Sequence, residues 1–197
     1  MAEPVKIDPR KIPGPWTEGF TLDRHVESSV PTGVSPGGYT QFDTKRTELG
    51  ELVYQLKYGG RQDALADIVK VAEEFVRGRW RLRFDVVVPA PPSVTRKAQP
   101  VVEIARALAA NVGIPTCEDA LVKVKVTPQM KNLGDFAERE KVLQAAIQKG
   151  KGEVKGKRVL LVDDLTESGS TLRRVADVLL KDGDAHSVYA LVMTRTK

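Results

Sequence analysis

Apolar and polar positions along this chain follow two periods, and the switches between them mark its elements. Residues 158–162, Arg-Val-Leu-Leu-Val, form a short unbroken apolar run after one cation. Such a run predicts a strand buried on both faces. Residues 84–89, Phe-Asp-Val-Val-Val-Pro, read the same way; Leu121 to Val126 and Ser187 to Met193 predict further strands. Between them the spacing is helical. Leu49, Leu52, Val53 and Leu56 share the face of a helix that Asp43 or Thr44 can cap and that ends at Gly59-Gly60. A second helix, about Asp63 to Val76, carries Leu65, Ile68, Val69, Val71, Ala72 and Phe75, with Gly78 punctuating its end. Pro100 opens a third, which runs through Ile104, Ala105 and Leu108 to Asn111 and closes at Gly113. A polar loop from Thr127 to Gly134 precedes an amphipathic helix from Asp135 to about Gln148, and a last helix spans about Ser170 to Leu180. Strands joined by helices imply an α/β domain with a mostly parallel sheet flanked by helices.

The first forty-odd residues break this rhythm. Pro13-Gly14-Pro15 and the Ser35 to Gly38 segment are turn signals. Gly19 to Glu27 and Gly38 to Asp43 read as two short strands of a long-looped hairpin. The predicted organisation is therefore an N-terminal extension over residues 1–44 and a main domain over 45–197.

Composition narrows the class. At 197 residues the chain can bury a full core without metal or disulfide staples. Its single cysteine, Cys117, excludes an intrachain disulfide and a cysteine-rich zinc site. No stretch approaches ~18 consecutive apolar residues, and the first residues lack signal-peptide form, so the expectation is a cytoplasmic protein with no membrane association. A net charge of +5 suits either an anionic partner or an ordinary solvated surface. The cations are spread along the chain, and no recognised nucleic-acid module accompanies them, so direct nucleic-acid binding is not expected.

The segment after Val162 carries the chemistry. Asp163-Asp164 is followed by residues 165–171, Leu-Thr-Glu-Ser-Gly-Ser-Thr, and then a helix begins. In an open parallel sheet, ligands bind beyond the carboxyl ends of the strands. Backbone N–H groups at the helix start, with hydroxyls of Thr166, Ser168, Ser170 and Thr171, can surround a phosphate monoester. Gly169 allows close approach of the backbone. The two aspartates repel phosphate but suit its neighbours, either ribose hydroxyls or a magnesium ion. A sugar phosphate supplies both partners. The bland alternative, a strand ending in Asp-Asp before a capped helix, needs only one of these hydroxyls. A receiver domain would place the acidic pair after its first strand, whereas here all but one predicted strand precede it. No Gly-x-x-x-x-Gly-Lys-Ser/Thr sequence occurs, which excludes a P-loop.

Val159 to Leu172 resembles the signature of type I phosphoribosyltransferases. The likeness extends to Tyr54 through Gly60, to residues 87–93 with Arg96, and to the segment starting at Thr127 with Arg139, which together resemble the ComF (competence-type) branch. The resemblance implies a type I phosphoribosyltransferase-like fold with an N-terminal hood, a Mg²⁺ requirement, and phosphoribosyl pyrophosphate as substrate. By resemblance, Asp163 and Asp164 hold the ribose hydroxyls and meet the metal only through ribose or water. Thr166, Glu167, Ser168, Gly169, Ser170 and Thr171 hold the 5′-phosphate. Pro92, Ser93, Arg96 and Lys97 occupy the pyrophosphate-loop position, where cations can neutralise a departing pyrophosphate. Lys131 and Arg139, on or after a candidate lid at Thr127 to Gly134, are the further candidates to reach it.

Glu167 departs from the typical pattern. By resemblance to purine-salvage relatives, which carry an acid close to the acceptor base, it can serve as general base for a nucleobase nucleophile; alternatively it can weaken phosphate binding. The expected catalytic residues are thus Glu167, Arg96 and Lys131. His25 and His186 lack metal-ligand spacing, Cys117 has no base in sequence reach, and Trp16, Phe20 and Tyr39, which can stack on a base from the hood, read first as packing residues of the hairpin. The implied reaction transfers phosphoribose to a nitrogen nucleophile that the sequence does not identify. The alternative is a non-catalytic binder of phosphoribosyl pyrophosphate or a nucleotide that acts as a regulator in DNA uptake or repair. Because many relatives pair, a homodimer is an expectation of the resemblance alone.

Overall fold

The computed structural model describes residues 4–92, 99–124 and 146–196. Its centre is a five-stranded sheet in the order β1-β2-β9-β8-β5. Those strands are β1 (Arg10–Lys11), β2 (Glu18–Arg24), β5 (Val86–Pro89), β8 (Arg158–Thr166) and β9 (Ser187–Arg195). Strands β2, β9, β8 and β5 run parallel, and only β1 is antiparallel to its neighbour. Two small antiparallel pairs stand apart, β3 (Val26–Val34) with β4 (Thr40–Arg46), and β6 (Leu121–Lys123) with β7 (Ile147–Lys149). The described helices are α1 (Glu48–Tyr54), α2 (Ala64–Arg79), α3 (Pro100–Val112) and α4 (Ser170–Asp177). Helices α1 and α4 each continue as a π turn, over Gln55–Gly59 and Val178–Asp182 respectively.

Strand β8 explains why the sheet is covered twice. Side chains alternate along a strand. Leu160 and Val162 pack with Leu22, Val87, Leu191 and Met193 against α1, α2 and α3. Val159 and Leu161 pack with Val86, Val88, Val188 and Ala190 against Leu172, Val175 and Ala176 of α4. All four β8 side chains from Val159 to Val162 are fully buried. At roughly 1.5–3 kcal/mol for each buried aliphatic side chain, these four positions anchor both layers.

Several predicted boundaries moved for physical reasons. The strand predicted over Gly19 to Glu27 forms as β2, but it pairs in parallel with β9 and not with residues 38–43. Its buried Leu22 and Thr21 belong to the main core, so this part of the N-terminal extension is sheet and not hood. The hairpin that does form is β3–β4, with Val26 opposite Arg46 and Val34 opposite Thr40. Asp43 and Thr44 lie inside β4, so the cap of α1 falls to Thr47, whose hydroxyl oxygen accepts from Gly50 N at 3.0 Å. The same hydroxyl donates to the Arg24 carbonyl at 2.6 Å and ties the helix start to the end of β2. Gly50 is required here, since a Cβ would lie 2.2 Å from the His25 carbonyl oxygen. The helix predicted from Asp135 falls mostly outside the described residues. At its predicted end, residues 147–149 are extended and pair with β6. Pro100 and Gly113 bound α3 as expected, with Gly113 in the left-handed region at φ 73°. No described helix is long and apolar enough to cross a membrane.

Leu161 sits at the centre of the α4 layer. Leu161→Ala is expected to cost about 2–5 kcal/mol of unfolding free energy, measured by urea denaturation, with the slope against denaturant unchanged.

Candidate functional site

The carboxyl ends of β5 and β8 open onto a cavity of about 370 Å³. Its wall includes residues 163–171 on one side, Pro91 and Pro92 after β5, Gln99 to Val101 at the start of α3, and Lys57 with Tyr58 from the π turn. All eight residues expected to bind the ribose 5-phosphate thus lie on one surface, together with Pro92. Ser93, Arg96, Lys97, Lys131 and Arg139 lie outside the described residues.

The two aspartates occupy different environments because β8 continues through them to Thr166. Asp164 shares the face of Leu160 and Val162 and meets Lys57, whose Nζ donates to Asp164 Oδ2 at 2.8 Å. Both partners are largely shielded, with 18% and 10% of their side-chain surfaces exposed. Asp163 lies on the opposite face. Its Oδ1 accepts from the Asp164 backbone N–H at 2.9 Å, which fixes the carboxylate relative to the strand. Burial first, and the neighbouring Asp164 charge second, push the Asp163 carboxyl up to about 7. Lys57 opposes that rise but does not cancel it.

Behind Asp164 a buried polar chain continues. The Thr194 hydroxyl donates to the Asp164 carbonyl at 3.3 Å, and His25 Nδ1 lies 3.1 Å from the same hydroxyl oxygen. Since that hydroxyl's proton is committed, His25 Nδ1 is the donor. Burial, with Arg46 and Lys57 adding repulsion, pushes the His25 imidazole down toward its neutral form. The structural reading of His25 fits this position.

The loop from Thr166 to α4 turns sharply into the helix. Gly169 takes φ 73°, a left-handed conformation that any Cβ would strain, and it begins α4 as its N-cap. Ser168 and Ser170 hydroxyls lie 3.0 Å apart, and Arg173 donates to the Ser168 carbonyl at 2.8 Å from below the loop. The first turn of α4 contains no acidic residue. Ser170 N–H donates to Ser168 Oγ at 3.4 Å, and no carboxylate of the helix itself competes for an anion at its N-terminus. Glu167 stands exposed on the cavity wall, between Thr166 and Ser168.

The phosphoribosyl transferase domain model matches residues 97–196, half of the chain, including β8 and the whole of this loop. The chain belongs to the phosphoribosyl transferase domain family. Amidophosphoribosyltransferase of Pseudomonas aeruginosa is 26% identical over 184 residues, covering 87% of this chain and 35% of that protein. The chain thus spans about a third of that relative. Among solved structures, the allosteric regulatory enzyme of purine biosynthesis matches with a TM-score of 0.50 and 21% identity over 81% of this chain and 34% of that one. The adenine phosphoribosyltransferase of Saccharomyces cerevisiae matches with a TM-score of 0.47 and 12% identity, covering 85% and 82%. The first of these likenesses is one of fold, and it agrees with the parallel sheet seen here.

Lys57 and Tyr58 are site residues that sequence reasoning did not assign. Their signal was the Tyr54 to Gly60 motif, noted only for its resemblance. Trp16 and Phe20 are packing residues, but of the two main cores and not of the hairpin, because their segment joins the central sheet. Tyr39, by contrast, is 79% exposed in the β3–β4 connection.

The raised Asp163 carboxyl has a thermodynamic consequence. Its folded pKa of about 7 lies above the ordinary carboxylate value of 3.8, so the folded chain holds this proton while the unfolded chain releases it. Stability from this group is full below pH ~4, falls as pH rises toward 7, and is flat above. Asp163→Asn removes the dependence. In metal-free buffer the variant is expected to gain on the parent by about 2–4 kcal/mol between pH 4 and 8, read from urea unfolding at both pH values. A constant difference would show that Asp163 titrates normally.

Proposed function

We propose that this chain binds phosphoribosyl pyrophosphate with Mg²⁺ and transfers the phosphoribosyl group to a nitrogen nucleophile, a nucleobase being the favoured class, with release of pyrophosphate. The observation that carries this reading is the meeting of two aspartates with the 166–171 anion loop on one cavity wall, at the carboxyl end of a central parallel strand. A phosphorylated ribose needs both functions about one sugar apart. The family match and the relative named for phosphoribosyl transfer support transfer over binding alone. The motifs around residues 54–60 and 87–96 support a ComF-like member within that family.

In this reading the backbone N–H groups of residues 168–171 and the hydroxyls of Thr166, Ser168, Ser170 and Thr171 hold the 5′-phosphate. Asp163, once ionised, accepts from the ribose hydroxyls, while Asp164 is held in place by Lys57. The C1–O bond breaks with its electron pair passing to pyrophosphate. The acceptor nitrogen supplies the pair for the new C1–N bond, and Glu167 takes the proton that this nitrogen loses. Ser93, Arg96, Lys97, Lys131 and Arg139 balance the charge on the leaving group.

Magnesium fits this donor set only as an ion carried by the substrate. Among the described residues no three acidic, histidine or cysteine side chains form a cage, and one of the two available carboxylates is engaged by Lys57. Magnesium keeps several waters and takes one or two carboxylates beside substrate phosphates, so Asp163 and Asp164 would reach it through ribose or water. When bound, it neutralises charge on the pyrophosphate oxygens.

Asp163→Asn with Asp164→Asn is expected to abolish binding of Mg²⁺–phosphoribosyl pyrophosphate in calorimetry, and unchanged affinity would overturn the site. Turnover is tested by incubating protein, Mg²⁺ and phosphoribosyl pyrophosphate with purines, pyrimidines and amines while assaying pyrophosphate. Tight binding with no release for any acceptor would favour a non-catalytic regulator that uses the same pocket. Glu167→Gln is expected to lower kcat by about 10²-fold or more with phosphoribosyl pyrophosphate affinity retained; unaltered turnover would remove Glu167 as the base.

A further inference from the structure

The end of the sheet opposite the cavity carries a second concave surface. Residues 80–85 connect α2 to β5 and so lie at the amino ends of the parallel strands. Inward and outward side chains alternate there. Trp80 and Phe84 are almost fully buried, whereas Arg79, Arg81 and Arg83 are exposed. The rings of Phe20, Phe75, Phe84 and Tyr189 surround Trp80 at centroid distances of 5.6 to 6.1 Å, and Trp80 Nε1 donates to Glu18 Oε2 at 2.7 Å. Between this segment and the end of α3 lies a groove of about 350 Å³. The half-buried Leu82, Val112 and Ile114 form its aliphatic part, and Arg77, Arg81 and Arg83 are its charged members. No acidic residue lines it among the described residues.

Neighbouring arginines already have partners. Arg77 donates to Glu73 and to the Asn111 carbonyl, each at 2.8 Å. Arg79 pairs with Glu18, Arg106 with Glu118 and Arg158 with Asp85. Arg81 and Arg83 make no ion pair or hydrogen bond with the described residues. Two unmatched guanidinium groups beside an aliphatic floor offer bidentate carboxylate recognition and apolar contact together. The two rings that line the groove, Trp80 and Phe84, are packed against other rings, so a nucleobase would find no open face on which to stack.

We propose that this groove docks an acidic peptide segment of a partner protein, with carboxylates on Arg81 and Arg83 and an apolar side chain on Leu82, Val112 and Ile114. The four residues of β5 separate it from the cavity at the other edge of the sheet. A partner held here would leave that cavity open, so the surface serves to tether the chain and not to block its site.

The test is a methyl NMR titration of the full chain with the capped peptide Glu-Glu-Leu-Phe-Glu-Glu. Controls are Gln-Gln-Leu-Phe-Gln-Gln, Glu-Glu-Ser-Ser-Glu-Glu and oligothymidylate. The first peptide is expected to shift the methyl signals of Leu82, Val112 and Ile114, and to bind at least about tenfold more tightly than either control peptide. Arg81→Gln with Arg83→Gln is expected to weaken it by about tenfold or more, with methyl signals remote from the groove unmoved. Lys149→Gln with Lys151→Gln removes the same charge from another exposed surface and is expected to leave the affinity unchanged. Absence of shifts at the three groove residues would overturn the proposal. So would equal binding of the serine peptide, or affinity retained in the arginine variant. Oligothymidylate that shifts the same methyls and binds more tightly than the peptide would overturn it in favour of a nucleic-acid surface.

Discussion

Strand β8 is hydrogen-bonded on both sides, to β5 and β9, and covered on both faces, by α1–α3 and by α4. From Val159 onward it cannot meet water until it outruns its neighbours' cover. From Val159 to Val162 every side chain is fully buried, so four consecutive positions are closed to polar chemistry. The next residues along the strand are the two aspartates. Parallel pairing then places the ends of β5 and β8 at the same edge, and the Pro91–Pro92 segment and the 166–171 loop line one cavity. The position of the site is a consequence of the strand's burial, not an independent feature.

Two adjacent carboxylates at the end of such a strand repel each other in a poorly solvated setting. The structure separates their roles by the same alternation that covers the sheet. Asp164 falls on the α1 side and receives Lys57 at 2.8 Å, with Thr194 and His25 completing the hydrogen bonding behind it. Asp163 falls on the other side, where no ion pair among the described residues holds it, and takes up the cost of burial, its carboxyl raised to about 7. One acid is thereby committed to structure through an ion pair. In the proposed function the other would gain from ligand hydroxyls, because a hydrogen-bonded partner restores what desolvation removed.

The sheet interior, the α3 boundaries and the 163–171 loop were all legible from residue pattern. Each is decided locally: an apolar run, a proline and a glycine at helix ends, a glycine between serines. What was not legible depends on long-range pairing. Glu18–Arg24 has the alternation of a strand wherever it pairs, and nothing in its own residues distinguishes a hairpin with the next segment from a parallel match with Ser187–Arg195. Residues 147–149 sit at the end of a helical pattern and yet pair with residues 121–123, a tertiary contact overriding local periodicity. Lys57 precedes Asp164 by 107 positions. In sequence it is one more cation on a helix, and only the closeness of α1 to β8 and β9 makes it the counter-ion of the site.

The π turn links these two levels. A regular α-helix turns 3.6 residues per cycle, whereas the wider i to i+5 turn over Gln55–Gly59 changes the direction in which successive side chains leave the axis. This distortion lets neighbours in sequence serve different purposes at one cavity, Lys57 buried against a carboxylate and Tyr58 exposed beside it. Their backbone is common, so a shift of Lys57 away from Asp164 would carry Tyr58 with it.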